Sequence, residues 1–280
     1  MINYKAIKRV KLTVVYALLC LASLGVIVPV LWMLSTAMKT DQEVMRLPIR
    51  WITETMGFHA FKRIWVEYPF PTYFKNTLVI VLFSTGISLS FASLAGYGVS
   101  RFRFSGRKSF LTFLLLTQMF PSVMLLIPFF QIMNTYGLAN TLTGLTLVYI
   151  SFTIPFCSWM MYGYYDSIPK ELDDAAAIDG CSRLKTFWTI ITPLARPGLA
   201  ATAIYSFLIG WNEYMFAAIL TSGESRKTVP IGIGQLIGQY RIAWNDMMAA
   251  SLMASIPLMI LFIFSQRHLI RALTGGAVKD

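Results

Sequence analysis

Few residues of this 280-residue chain could carry out chemistry. Of its 13 acids only Glu213 sits inside a long apolar stretch, while Glu171, Asp173, Asp174 and Asp179 gather in one polar segment. A lone carboxylate among apolar residues could hold a proton or an ion, or hydrogen-bond a polar cargo. It costs about 2.5–3.5 kcal/mol to insert in a membrane unless it meets a partner or water. The motifs G-x-x-x-x-G-K-[ST], G-x-S-x-G and H-E-x-x-H do not occur, so nucleotide hydrolysis and metallo- or serine-hydrolase chemistry have no equipment here. No His, Cys or paired-carboxylate constellation falls at one depth of the chain's apolar runs, which sets an integral-membrane enzyme aside. Any work the protein does draws energy from elsewhere.

The elements that must position these residues are set by where charge is missing. AVILMFWYC residues make up 56% of the chain and DEKR residues 13%, against the roughly 25% charged of soluble domains, and the mean hydropathy is +0.61. Lipid is the solvent that such a composition calls for. Residues 12–37, 76–100 and 247–266 are free of charge, and each meets the roughly 20 residues a helix needs to cross the hydrocarbon layer. The charge-free stretch 109–165 is too long for one crossing, and its polar patch 133–142 divides it into spans 109–132 and 143–165. Residues 198–222, with Glu213, make a sixth span. With no internal repeat and no compositional break, the expectation is an all-α polytopic membrane protein with six transmembrane helices in a single domain, 1–280.

Lys and Arg set the orientation. Lys5, Lys8, Arg9 and Lys11 precede span 1; Arg101, Arg103, Arg107 and Lys108 fill the link 101–108; Arg267, Arg271 and Lys279 follow span 6. The positive-inside rule then puts both termini and the link 166–197 in the cytoplasm, with 38–75 and 223–246 outside. The net charge of +11 is dealt out between spans rather than gathered on one face, so it reads as topology and not as a nucleic-acid surface. Span 1 is too long for the apolar core of a cleaved secretory signal and is expected to stay as an anchor. His59 and His268 fall on opposite sides of the membrane, which excludes a His-based metal cluster. Cys20 and Cys157 lie in spans and Cys181 in the cytoplasmic link, so no structural disulfide is expected.

The link 166–197 reads as two short amphipathic helices. Ser167 is expected to cap the first, with Pro169 in its first turn, acids Glu171, Asp173 and Asp174 near its positive end, and Gly180 as its stop. Ile168, Leu172, Ala175 and Ala176 are expected on one stripe. Ser182 is expected to cap a second helix carrying Leu184, Phe187, Trp188 and Ile191 and ended by Pro193. An acidic, alanine-rich helix suits another protein better than an anionic headgroup surface.

The run S-I-P-K-E-L-D-D-A-A-A-I-D-G-C-S at 167–182, followed by Phe187, Ile191, Pro193 and Pro197, resembles the EAA loop of permease subunits of ATP-binding-cassette importers. Asp174 stands where that family usually has Glu, with Ala175, Ala176 and Gly180 in register. W-N-E-Y at 211–214 and the tail 266–280, ending G-A-V-K-D, are similar to the maltose-type (MalG-like) sugar permeases, and the resemblance extends over the whole chain, including a helix at 58–68. It implies a MetI-like type I ABC importer permease fold in the bacterial cytoplasmic (inner) membrane. It implies a second homologous permease subunit that completes the pore, two ATPase subunits that bind ATP and Mg while this chain binds no cofactor, an extracytoplasmic sugar-binding protein, and a carbohydrate cargo. It also implies ATPase contacts at Leu172, Asp174, Ala175, Ala176, Asp179 and Gly180, with Gly275, Gly276 and Lys279 of the tail reaching between the ATPases.

The pathway is more open. Thr202, Ser206, Gly210, Glu213 and Ala217 fall on one small, polar stripe, which is expected to face the bundle interior. Glu213 is read either as a partner of a sister subunit or neighbouring helix, or as a sugar contact. Trp211, Asn212, Tyr214 and Gln118 are the other candidates for the cargo path; Tyr149, Trp159 and Tyr205 offer aromatic faces. Pro121, Pro128, Pro155 and Pro257 interrupt spans. A secondary transporter or channel using Glu213 as an ion or proton site is the alternative.

Overall fold

The structure, a computed structural model, describes residues 4–238 and 242–275. Its helices, in chain order, are α1 (Tyr4–Met38), α2 (Asp41–Val44), α3 (His59–Val66), α4 (Phe70–Arg101), α5 (Arg107–Met119), α6 (Ser122–Thr135), α7 (Leu142–Asp166), α8 (Glu171–Ile178), α9 (Arg183–Thr186), α10 (Thr192–Leu194), α11 (Arg196–Trp211), α12 (Met215–Leu220), α13 (Val229–Gln235) and α14 (Trp244–Gly275). A π turn, Phe187–Ile191, joins α9 to α10, and a 3-10 turn, Glu224–Arg226, precedes α13. Among the described residues the only β pairing is an isolated bridge between Ile237 and Ile242. The helix expected at 58–68 is α3.

Among the described residues α1, α4, α7 and α14 are each long and apolar enough to cross a membrane, and α5 with α6 adds a fifth crossing if the bent pair is one span. That pair is where the structure departs most from the sequence reading: the span expected at 109–132 turns by 96° between Met119 and Ser122. Phe120 (φ −72°, ψ 125°) and Pro121 (φ −60°, ψ 121°) are both extended. A proline disfavours helical backbone in the residue before it and offers no N–H to the turn that follows, so the helix ends at Met119 and restarts. Pro128, Pro155 and Pro257 stay inside continuous helices. The stretch 198–222 is likewise divided, between α11 and α12, with Asn212, Glu213 and Tyr214 in the gap.

The chain forms two compact units, 69–232 with 256–280 and 1–68 with 233–255. In the first, α4 and α7 pack along much of their length because small residues recur every fourth position of α4 at Ser88, Ala92 and Gly96. A methyl group on Gly96 would come within 2.6 Å of the Tyr162 backbone nitrogen, so the two backbones all but touch. Polar side chains lock the pair: Ser88 and Thr153 hydroxyls meet at 2.7 Å, Ser93 and Tyr165 hydroxyls at 2.6 Å. Ala92, Cys157, Met161, Tyr165, Phe187 and Ile191 form the core at one end; Ile80, Leu145, Tyr149, Phe216 and Leu220 form it at the other. The start of α4 holds the segment before α13: Asn76 Nδ2 donates to the carbonyls of Ser225 (3.0 Å) and Lys227 (2.9 Å), the Thr77 hydroxyl accepts from Val229 N–H (2.9 Å), and Tyr73 donates to the Glu224 carboxylate.

In the second unit Arg63 of α3 is the hub. Its Nε donates to Asp246 at the start of α14 (2.8 Å) and its Nη2 to Asp41 at the start of α2 (3.1 Å), while Asn245 donates to the same Asp41. Trp32 meets Trp51 edge to face at 4.8 Å with the Lys39 ammonium 4.5 Å from its ring centre. Desolvation pushes the Glu43 carboxyl up, but the threonines around it, with Thr40 donating from its N–H (3.2 Å) and hydroxyl (3.1 Å), hold it down at about 2.

Candidate coupling site and membrane acid

Helix α7 runs to Asp166, so Ser167 arrives as its closing residue rather than as the cap of α8. Its backbone is helical (φ −78°, ψ −13°) and its hydroxyl donates backward to the Tyr164 carbonyl at 2.7 Å. Helix α8 therefore starts at Glu171 with no side-chain cap, and its three first-turn acids are what meets the positive end of its dipole. It ends at a Schellman motif, as a glycine stop requires: Gly180 is left-handed at φ +76°, Gly180 N–H donates to Ala177 (3.1 Å) and Cys181 N–H to Ala176 (2.9 Å). Nothing lies within 4 Å of where a Gly180 side chain would begin, so backbone conformation and not crowding demands the glycine.

Beyond the corner, Ser182 accepts from Lys185 N–H at 3.4 Å and caps α9, as its position predicts. Pro193, expected to end the second helix, does not. The intervening π turn, closed by Thr192 N–H donating to Phe187, widens the coil ahead of Pro193, whose ring then sits in the first turn of α10, where a missing N–H costs least.

The stripe expected from Ile168, Leu172, Ala175 and Ala176 is split. Ala176 is buried and Ile168 packs on the α4–α7 core, whereas Leu172 and Ala175 face outward with Asp174, Asp179, Gly180 and Ile178, which is 88% exposed. Leu184 and Trp188 continue that outward apolar surface past the corner. What fastens the inner side is a group the sequence reading did not single out. Asp173 accepts from the Tyr97 hydroxyl at 2.9 Å and pairs with Arg101 Nε at 2.9 Å. The Arg101 contact is close but poorly aligned for a directed N–H bond, so its attraction is that of opposite charges in contact. Arg101 Nη1 also donates to the Tyr165 carbonyl (2.9 Å) and to Ser100 (3.2 Å). A cleft of about 330 Å³ opens beside this joint, lined among others by Phe102, Lys170, Asp174 and Arg183.

Glu213 occupies the gap between α11 and α12. Its carboxylate accepts from the Tyr149 hydroxyl (2.8 Å), Phe216 N–H (2.8 Å) and Ala217 N–H (3.0 Å), so it caps α12 and ties it to α7. Thr202, Ser206, Gly210 and Ala217, the rest of its stripe, are all buried. The other pathway candidates scatter. Trp211 is 2% exposed, stacked on Phe207 (5.5 Å) and edge-on to Phe74 (6.2 Å). Asn212 is exposed and donates back to the Leu208 carbonyl at 2.8 Å; Tyr214 is exposed; Gln118 is exposed on α5, 3.4 Å from the Phe152 carbonyl. Phe156 brings Tyr205 (4.4 Å) and Trp159 (5.9 Å) into one aromatic cluster. Gly275 ends α14, and Gly276 and Lys279 lie outside the described residues.

Residues 85–275 match the family described as binding-protein-dependent transport system inner membrane component. The trehalose/maltose transport system permease protein MalG of Thermococcus litoralis is 35% identical over 279 residues, 98% of each chain. The maltodextrin transport system permease protein MdxG of Bacillus subtilis is 33% identical over 268 residues, 94% of this chain and 95% of that one. In fold, the chain is similar to one in the crystal structure of a bacterial ABC transporter involved in the import of the acidic polysaccharide alginate, with a TM-score of 0.80 at 24% identity over 95% of this chain and 99% of that one. A bundle with these spans, this helix-corner-helix link and this similarity belongs to the inner-membrane components of binding-protein-dependent transport systems, as a MalG-like ABC importer permease.

Proposed function

We propose that this chain is one of two homologous permease subunits forming the pore of an ATP-driven, binding-protein-dependent sugar importer, with six crossings and both termini in the cytoplasm. The observation that carries the reading is the corner after α8: an apolar and acidic surface at Leu172, Asp174, Ala175, Ile178 and Asp179 faces outward on a helix whose other side is fastened to α4. Of two partner ATPases, which bind ATP and Mg, one docks there and the other on the corresponding loop of the second permease, with Ala176 as the buried support and the tail at Gly275 and Gly276 as a second contact. Their closing moves the link as a lever between inward- and outward-facing states. A soluble sugar-binding protein docks outside on 223–246. The carbohydrate class rests on the relatives, whose names specify trehalose/maltose and maltodextrin transport.

Glu213 favours this reading over an ion-coupled carrier, because its carboxylate is already taken by one hydroxyl and two backbone N–H groups. Exposed Asn212, Tyr214 and Gln118 are left as cargo contacts, and buried Trp211 as their support. Affinity purification of the tagged chain from native membranes, with a crosslinker at Ile178→Cys, tests the proposal: an ATPase should co-purify and crosslink there. A labelled Ile178→Cys found on the external face, or an assembly with no ATPase, refutes it.

A further inference from the structure

Helix α8 is joined to the rest of the link by two short connections, residues 167–170 toward α7 and the Gly180 corner toward α9. A helix held only by its ends would swivel when pushed, and the push would be lost before reaching the spans. We infer that Arg101 and Asp173 are the joint that fixes the angle of α8 against α4, so that displacement of α8 tilts the locked α4–α7 pair instead of rotating α8 in place. This rests on the docking reading above for the source of the push, but the joint itself is a property of this chain.

Three observations carry it. Asp173 is the one acid of α8 that turns inward; Glu171 and Asp174 are exposed. Arg101 is the last residue of α4, its side chain is 6% exposed, and it grips three elements at once: α8 through Asp173, the end of α7 through the Tyr165 carbonyl, and its own helix through Ser100. Tyr97, one turn earlier, shares Asp173 through its hydroxyl and lays its ring against Phe187 (4.9 Å) and Tyr165 (5.8 Å), which brings the π turn into the same cluster.

The joint is also a poor device for stability alone. Buried ion pairs seldom outperform an apolar replacement, and here Arg101 Nη2 is buried with no hydrogen-bond partner. An arrangement that stabilises so little, yet ties three helices at the point where a lever meets its load, is explained by the geometry it imposes.

The test uses the full transporter purified through a tag on this chain and placed in nanodiscs, in a cysteine-free background with spin labels at Ile178→Cys on α8 and Ser90→Cys on α4, both exposed positions. Without nucleotide, one narrow distance peak is expected, and it should hold its place after trapping with MgATP and vanadate. Asp173→Asn should broaden the nucleotide-free peak, Tyr97→Phe should broaden it less, and the exchanged pair Arg101→Asp with Asp173→Arg should narrow it again. Two outcomes overturn the joint: a peak in Asp173→Asn as narrow as the parent's, or a parent peak that shifts by more than about 5.4 Å, one helical turn, on trapping. The nucleotide-free comparison needs no ATPase. An unlabelled parent preparation that lacks an ATPase, beside a broadened peak in labelled Asp173→Asn, sinks the docking reading and leaves the joint standing.

Discussion

Substitution of Gly180 should uncouple the protein in an order set by backbone conformation and not by side-chain size. At φ +76° an ordinary L-residue crowds its Cβ against the following carbonyl, which costs about 1–2 kcal/mol. No atom lies within 4 Å of that Cβ, so no clash adds to the cost in this chain. A penalty of that size lowers the population of the native corner by about 5–30-fold. Opening the corner also forfeits the two bonds from Gly180 and Cys181, about 0.5–1.5 kcal/mol each. Asn visits the left-handed region far more readily than Ala or a β-branched residue. The expected series is therefore Gly180→Asn close to the parent, Gly180→Ala weaker, and Gly180→Val weakest, in proteoliposome uptake of whichever labelled sugar a panel shows the parent to carry, with ATP hydrolysis persisting throughout. Normal uptake by Gly180→Val refutes the reasoning. So does a Gly180→Asn protein that assembles but is as defective as Gly180→Val, since the demand would then come from space against a partner.

Three other expectations follow from the packing. Glu213→Ala leaves the Tyr149 hydroxyl and two N–H groups of α12 without their charged acceptor and should cost about 1.5–3 kcal/mol, read as a lowered unfolding midpoint in detergent; an unchanged midpoint removes its assigned role, and loss of transport by Glu213→Gln at full stability would point to ion binding. Gly96→Val forces carbon into the 2.6 Å approach of α4 to Tyr162 and should destabilise by about 1–3 kcal/mol or more in the same assay, with an unaltered midpoint as the contrary result. The Glu224 carboxyl is held below its ordinary 4.5 by Lys227 and then by Tyr73, so its contribution is fully present above that value and lost as pH falls through the lowered one. The protection of amides 224–229, taken relative to their intrinsic exchange rates at each pH, should fall on acidification in the parent and already be low at neutral pH in Glu224→Gln; identical protection profiles in the two would contradict the attachment.

Absence of charge is legible because it is a property of composition over 20 or more positions, and the crossings α1, α4, α7 and α14 follow from it directly. Local chemistry was legible where one residue decides the outcome, as at left-handed Gly180 and capping Ser182. It failed where the outcome depends on a neighbour's extent. Ser167 has a cap's chemistry, but α7 runs up to it and claims its hydroxyl. Pro193 has a breaker's chemistry, but a π turn ahead of it removes the conflict. Five prolines fall in the predicted spans, and only Pro121, with an extended Phe120 before it, breaks a helix. The Arg101–Asp173 joint could not be read because Asp173 and Asp174 are the same residue type, about 100° apart on the helix, and only tertiary packing decides which of them turns inward.

Cys181, the residue whose N–H closes the Schellman motif, is partly accessible, while Cys157 is buried and Cys20 lies in the middle of α1. The unaltered chain thus carries a native thiol one residue past the Gly180 corner, and a water-soluble maleimide reports whether that corner is open or covered without any engineered reporter.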